Sequence, residues 1–261
     1  MTDLAISVFR LSNRRGYSVP TMNIDYTELE TGLEWRLTCG GSRAYVVRIG
    51  ATLDRDFDVQ AADSHFMIHR ITSSLLLGGV GLFQAEATGR LILKDIEGRI
   101  TWTSQLDALD PLECAPVERQ IEPVFDWCRA LCKHNLLRRA ADDAHLALTH
   151  PHEALVFVYR GLEWLKLGLG VDWKQLAQEM KVPLEELREL RKTANYETGV
   201  RHATRTGAKM RARGENYSSW VCVLLEAINV ARVRLEPDFS PMSSNAVAEA
   251  IKTAVPTVPY E

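Results

Sequence analysis

A histidine beside an arginine, Arg201-His202, lies within Val182–Gly214, a stretch that also carries Arg188, Arg191, Lys192, Arg205, Lys209, Arg211 and Arg213. Its acids are Glu185, Glu186, Glu189 and Glu197, and none follows until Glu215. The whole chain has a formal net charge of −3. A local basic excess in a mildly acidic chain points to an anion, whether nucleic acid, nucleotide or the protein's own carboxylates. Histidine titrates near neutrality and arginine stabilises developing negative charge, so this pair has the chemistry to bind a phosphate or to act on one as general acid or base. The same two side chains can also pair with Glu163 or another core acid.

Other candidate chemistry is thinner. His65-Phe-Met-Ile-His69 sets two imidazoles one helical turn apart, a metal-ligand spacing that lacks both the Glu of HExxH and a third ligand. Cys128, Cys132 and His134 lack a fourth ligand, and buried cysteines commonly act as small hydrophobes. Neither a metal nor a cofactor is expected. No GxGxxG, GxxxxGK[ST] or GxSxG occurs, which removes support for dinucleotide, phosphate-loop and hydrolase-elbow readings. Five cysteines without framework spacing suit reduced thiols in the cytoplasm. The longest apolar runs are too short to span a bilayer, and the first residues lack the pattern of a secretory signal. An apolar fraction of 46 % with 25 % charged residues is ordinary for a soluble globular chain.

The elements that must position these residues fall into two kinds, so the expected fold class is α+β. Met22 to Leu29, Leu33 to Thr38 and Ala44 to Ile49 read as strands, separated by turns at Glu30-Thr31-Gly32 and Cys39-Gly40-Gly41-Ser42. Leu53 to Val59 reads as a further strand. Ala61 to Leu77 then has helical spacing, with Asp63 or Ser64 as N-cap and Gly78-Gly79 as its stop. Arg90 to Leu93 and Arg99 to Trp102 form a hairpin around Glu97-Gly98. A β-rich domain over 1–112 is expected, with Asp110 to Pro116 as the boundary.

A helical bundle is expected over 117–235 and a tail with one short helix, Asn245 to Thr253, over 236–261. The bundle helices are Val117 to Arg139, Glu153 to Leu167, Trp173 to Met180, Leu184 to Ala194 and Glu215 to Leu235. Trp173 to Leu190 has helix-turn-helix spacing, with Lys181 where a glycine often makes the turn. Glu185, Glu186 and Glu189 on the second helix oppose a DNA backbone, so packing is the favoured reading over a DNA-binding regulator that would use Arg188, Arg191 and Lys192. The Trp220 to Ala231 segment is apolar over much of its circumference, which fits either a dimer contact or a central bundle helix.

The helical half resembles the HEPN superfamily. The residues that carry the likeness are Tyr159-Arg-Gly-Leu-Glu163-Trp-Leu, Ala194-Asn195-Tyr-Glu-Thr-Gly-Val-Arg201-His202-Ala, and a long final helix. The resemblance implies an all-helical dimer that binds RNA or a nucleotide, found in toxin, defence or accessory systems. Nuclease members cleave RNA without metal through Arg-x4–6-His. On this chain His202 becomes the catalytic histidine, Asn195 the polar turn residue and Glu163 the acid that orients them. Arg201 then stabilises charge, and Arg191, Lys192, Arg205, Lys209, Arg211 and Arg213 contact the RNA or nucleotide. The positions where the motif arginine belongs hold Asn195, Tyr196 and Glu197. That departure favours binding, or weak catalysis, over an active ribonuclease.

Overall fold

In the computed structural model the described residues are 4–13, 18–27, 32–49, 57–96, 99–104, 122–200 and 217–237. They build an α+β chain that divides into two compact units. Residues 1–75 and 80–133 form the first, and 76–79 with 134–261 form the second.

The first unit is organised on a six-stranded antiparallel sheet of order β2-β3-β4-β1-β5-β6. The strands are β1 (Leu4–Ser12), β2 (Val19–Thr27), β3 (Glu34–Gly41), β4 (Arg43–Ile49), β5 (Gln84–Ile96) and β6 (Arg99–Ser104). β2, β3 and β4 correspond to the expected strands. The β3–β4 connection is tight because Gly40 pairs with Arg43, and Gly41 supplies the left-handed φ of 60° that the turn needs. The hairpin of β5 and β6 pairs Ile96 with Arg99, and its link at Glu97-Gly98 lies outside the described residues.

The central strand, β1, is one the sequence reading omits. It pairs with β4 on one side and β5 on the other. Its register against β5 slips between Val8 and Phe9, where Thr88 is the extra residue and its hydroxyl donates to the Val8 carbonyl at 3.3 Å. Val8 and Phe9 are adjacent and both buried, and the polar Ser7 faces α1, so Leu4 to Leu11 shows no clean polar alternation.

One face of the sheet is covered by α1 (Phe57–Leu77). Met67, Ile68, Ile71 and Leu75 form one core with Phe9, Leu11, Met22, Trp35, Leu37, Ala44 and Val46. The helix starts at Phe57, so Phe57-Asp58-Val59 is helical and not part of a strand; the rest of the expected Leu53 to Val59 strand lies outside the described residues. Ser64 is correspondingly not a cap: it is buried in mid-helix and accepts a hydrogen bond from the Ser7 hydroxyl at 3.0 Å. The stop is where the glycines put it. Gly79 takes a φ of 76°, and the Val80 and Gly81 amides bond back to the Leu75 carbonyl.

The expected helix Val117 to Arg139 is two helices, α2 (Glu122–Lys133) and α3 (Asn135–Thr149). His134 separates them with φ −118° and ψ 91°, while its carbonyl caps α3 by accepting the Arg138 amide. α2 belongs to the sheet unit, where Val124 joins the core and the Cys128 thiol donates to the Ser74 hydroxyl at 3.1 Å. The chain from 105 to 121, including Asp110 to Pro116, lies outside the described residues.

In the second unit α3 is followed by a short 3-10 turn, Pro151–Glu153, and by α4 (Ala154–Leu169), α5 (Trp173–Met180), α6 (Leu184–Val200) and α7 (Tyr217–Leu235). α4 packs against α3, α6 and α7. A Cβ at Gly161 would lie 2.9 Å from both Leu224 methyls, so the glycine sets how closely α4 and α7 approach. α7 buries Val221, Leu224, Leu225, Ala227, Ile228 and Ala231 within the unit, while Trp220, Cys222 and Val223 are half-buried and Val230 is exposed. The tail segment Asn245 to Thr253 lies outside the described residues.

Candidate functional site

α4 ends where Gly170 enters the left-handed region and its amide, with that of Val171, bonds back into the last turn. Two residues later Asp172 starts α5 with a capping box. Its carboxylate accepts the Gln175 amide at 2.7 Å, and the Gln175 side chain accepts the Asp172 amide at 2.9 Å. These two local devices bring Trp173 back against α4. The Trp173 ring stacks on Tyr159 at 5.6 Å and 14°, with Lys166 Nζ 5.4 Å from its centroid.

Tyr159 is the hinge of the cluster. Its hydroxyl donates to Glu163 Oε1, one turn along the same helix, at 2.8 Å. Burial and the Glu163 carboxylate push the phenol up to about 12, partly opposed by the positive charge of Arg191 on α6. At neutral pH Tyr159 is therefore a hydrogen-bond donor and not a base. Glu163 has one oxygen oriented by that bond, while Lys166 lies over the Trp173 ring and the charge of Arg191 on the neighbouring helix acts on Tyr159. An oriented carboxylate, two stacked aromatic rings and two nearby cations, Lys166 at Trp173 and Arg191 acting on Tyr159, suit a ligand with hydroxyl or amine donors and a negative group.

α6 leads from this cluster into the basic stretch. α5 ends with Lys181 in the left-handed region at φ 56°, its amide and that of Val182 bonding to Gln178 and Ala177. Lysine thus makes the turn that glycine often makes. Leu176, Ala177, Leu187 and Leu190 are buried, so the helix-turn-helix corner packs as expected. Its outer surface is largely neutralised. Arg188 pairs with Glu185 at 3.1 Å and Lys192 with Glu189 at 3.7 Å, all well exposed. Arg191 makes no ion pair among the described residues, and its charge is felt at Tyr159.

Of the sequence-predicted site, Glu163 holds the Tyr159 hydroxyl, Arg191 acts on Tyr159 by its charge, and Lys192 pairs with Glu189. Asn195 is not in a turn: α6 runs on to Val200, so it stands one helical turn beyond Arg191. Arg201, His202, Arg205, Lys209, Arg211 and Arg213 lie outside the described residues. Tyr159, Lys166 and Trp173 carry no site role in the sequence pattern. The i, i+4 spacing of Tyr159 and Glu163 carries a local signal; the return of Trp173 depends on tertiary packing.

A second polar cluster lies across α3 and α4. Asp143, 2 % exposed, accepts two hydrogen bonds from Arg160 Nε, at 3.0 and 2.9 Å, and a further short one from its Nη2. Burial pushes the Asp143 carboxyl up, and Arg160 opposes that push without cancelling it. Arg160 also covers the Phe157 ring at 5.2 Å, and His150 meets that ring edge-on. No sequence feature announces this pairing.

Among the described residues no group of three or more His, Cys, Asp or Glu could hold a metal. His65 packs edge-on to Phe9, and burial with the neighbouring His65 lowers the pKa of His69. Burial raises the thiols of Cys39 and Cys128 to about 12. No helix among the described residues is long and apolar enough to cross a membrane. The chain matches no family model, no curated protein and no solved structure.

Proposed function

We propose that the helical unit is a HEPN-like module that binds RNA or a nucleotide, within a cytoplasmic, dimeric protein whose work is binding more than cleavage. The observation that supports this reading is the Tyr159–Glu163 hydrogen bond on α4, with Trp173 stacked on Tyr159, Lys166 over Trp173 and the charge of Arg191 on α6 acting on Tyr159. Glu163 accepts a ribose hydroxyl or base amine, and Arg191 with Lys166 holds a phosphate. The neutralised α6 surface disfavours the rival duplex-DNA regulator, since Glu185 and Glu189 already occupy Arg188 and Lys192.

The test is thermal shift of the full chain with a panel of ribonucleotides and short RNAs, repeated on Glu163→Gln and Arg191→Glu. A shift seen with the unaltered chain and lost in both variants is the expected result. No shift with any ligand, or equal shifts in all three proteins, overturns the reading. The ribonuclease alternative is checked separately by RNA decay in EDTA. Cleavage that disappears in His202→Ala would establish it, and absent cleavage by both proteins removes it.

A further inference from the structure

The sheet turns a second face away from α1, and the register shows what stands on it. Ala44 and Val46 of β4 point into the core, so Arg43, Tyr45, Val47 and Ile49 point the other way. Across β1 and β4, Arg10 lies directly opposite Arg43, and Val8 directly opposite Tyr45. Directly opposed like charges destabilise a strand pair, yet neither arginine makes an ion pair among the described residues. Glu86 of β5 is the register partner of Arg10 without forming an ion pair to it, and Asp25 is taken by Arg36, whose Nε and Nη2 reach its two oxygens at 2.7 and 2.9 Å. Beyond Arg43 the next residue in the row is Gly40, and beyond Val8 it is Gly89, so two positions flanking the cluster carry no side chain.

We infer that Arg10, Arg43 and Tyr45 form a nucleotide-binding site on the sheet face turned away from α1, where Arg10 is exposed and Arg43 and Tyr45 are half-buried, taking one unit of a single-stranded RNA. Two guanidiniums on facing strands converge on one phosphate, the geometry at which arginine outperforms lysine. The half-buried Tyr45 ring stands one cross-strand pair further along and presents a stacking surface to the attached base. The site is separate from the α4–α6 cluster and does not rest on it.

The experiment titrates the full chain into a fluorescent single-stranded oligoadenylate, with AMP and inorganic phosphate as competitors. The double substitution R10Q/R43Q weakens binding by about tenfold and flattens its salt dependence. Its melting temperature stays level or rises, because a like-charge pair has been removed. Tyr45→Ala also weakens binding, and Tyr45→Phe restores it. Competition by AMP at low concentration identifies a free nucleotide as a sufficient ligand; competition by oligomer alone identifies the strand, and both support the site. Equal displacement by inorganic phosphate overturns the role of Tyr45. Unchanged binding in R10Q/R43Q, or a lower melting temperature with unchanged binding, overturns the proposal. Arg191→Glu serves as the control for the helical site: loss there alone leaves that reading standing and defeats this one.

Discussion

Beneath the sheet, the polar atoms of the first unit are mostly hydroxyls and thiols: Ser64, Thr72, Ser73 and Ser74 are buried, with Cys39 and Cys128 as protonated thiols near them. Its buried cation, Arg70, lies over the Tyr26 ring at 5.0 Å and donates to Met67 Sδ. Among the described residues of the helical unit the buried polar ones are Asp143, His145 and Arg232, and Asp143 holds Arg160 in a forked bond. A neutral hydroxyl can satisfy itself on its own helix, as Ser74 does on the Arg70 carbonyl at 2.6 Å. A buried carboxylate cannot, so it fixes the relative position of two helices. The sheet unit should therefore tolerate polar substitutions that the helical unit does not.

The largest effect expected on this basis is in Arg160→Ala. It leaves Asp143 buried without its cation, at a cost of about 3 kcal/mol. That figure is the low end for such pairs, because the Arg160 side chain is 45 % exposed. The carboxyl of the variant then has a folded pKa still further above its unfolded value. Its neutral form is the stable one, so the deficit is smallest in acid and grows as pH rises through that window. Denaturant melts from acid to neutral pH test this; a deficit that does not depend on pH would show that Arg160 acts through packing on Phe157 alone.

Gly161→Ala comes next, at about 2 kcal/mol after the gain in helix propensity, because the new methyl meets Leu224 at 2.9 Å. Hydrogen exchange should show the loss in α4 and α7, with the sheet amides unaffected. Ser74→Ala in the sheet unit should cost only about 1 kcal/mol, the loss of the Cys128 thiol bond and the helix carbonyl bond. A cost equal to that of Arg160→Ala would remove the contrast between the two units. Lys181→Gly should stabilise by up to about 1 kcal/mol, since the turn already holds a left-handed φ of 56°.

The Tyr159 phenol adds an alkaline signature. Its folded pKa, about 12, lies above the ordinary value. Its contribution to stability is full below the unfolded pKa of about 10 and is lost as pH rises towards 12. Tyr159→Phe should remove that part of the alkaline decline, which ultraviolet titration of the phenolate can follow.

The same contrast governs what the sequence discloses. Turns announce themselves through local chemistry, Gly41 in a hairpin and Gly79 at the end of α1, and so does α5 through Asp172 and Gln175. β1 does not, because Val8 and Phe9 are buried on opposite faces and Ser7 faces α1, which breaks the alternation that marks a half-solvated strand. The break at His134 involves neither glycine nor proline, so the helical rhythm runs straight across it. At the candidate site Glu163 and Arg191 stand out by charge and position, whereas the stacking of Trp173 on Tyr159 arises only once α5 folds back. Asp143 and Arg160, seventeen positions apart, are paired by helix packing that no spacing rule encodes.

The central claim is that the α4–α6 cluster is a ligand site and not merely a packed corner. Its most direct test is a titration of the full chain with a short single-stranded RNA, followed by anisotropy, comparing the unaltered protein with Arg191→Glu. Arg191 is exposed and makes no ion pair among the described residues, so its reversal should leave the melting temperature nearly unchanged. Binding by the unaltered chain that falls by about tenfold or more in Arg191→Glu is the predicted result. Equal affinity of the two proteins, or a variant that loses stability and not affinity, contradicts the account.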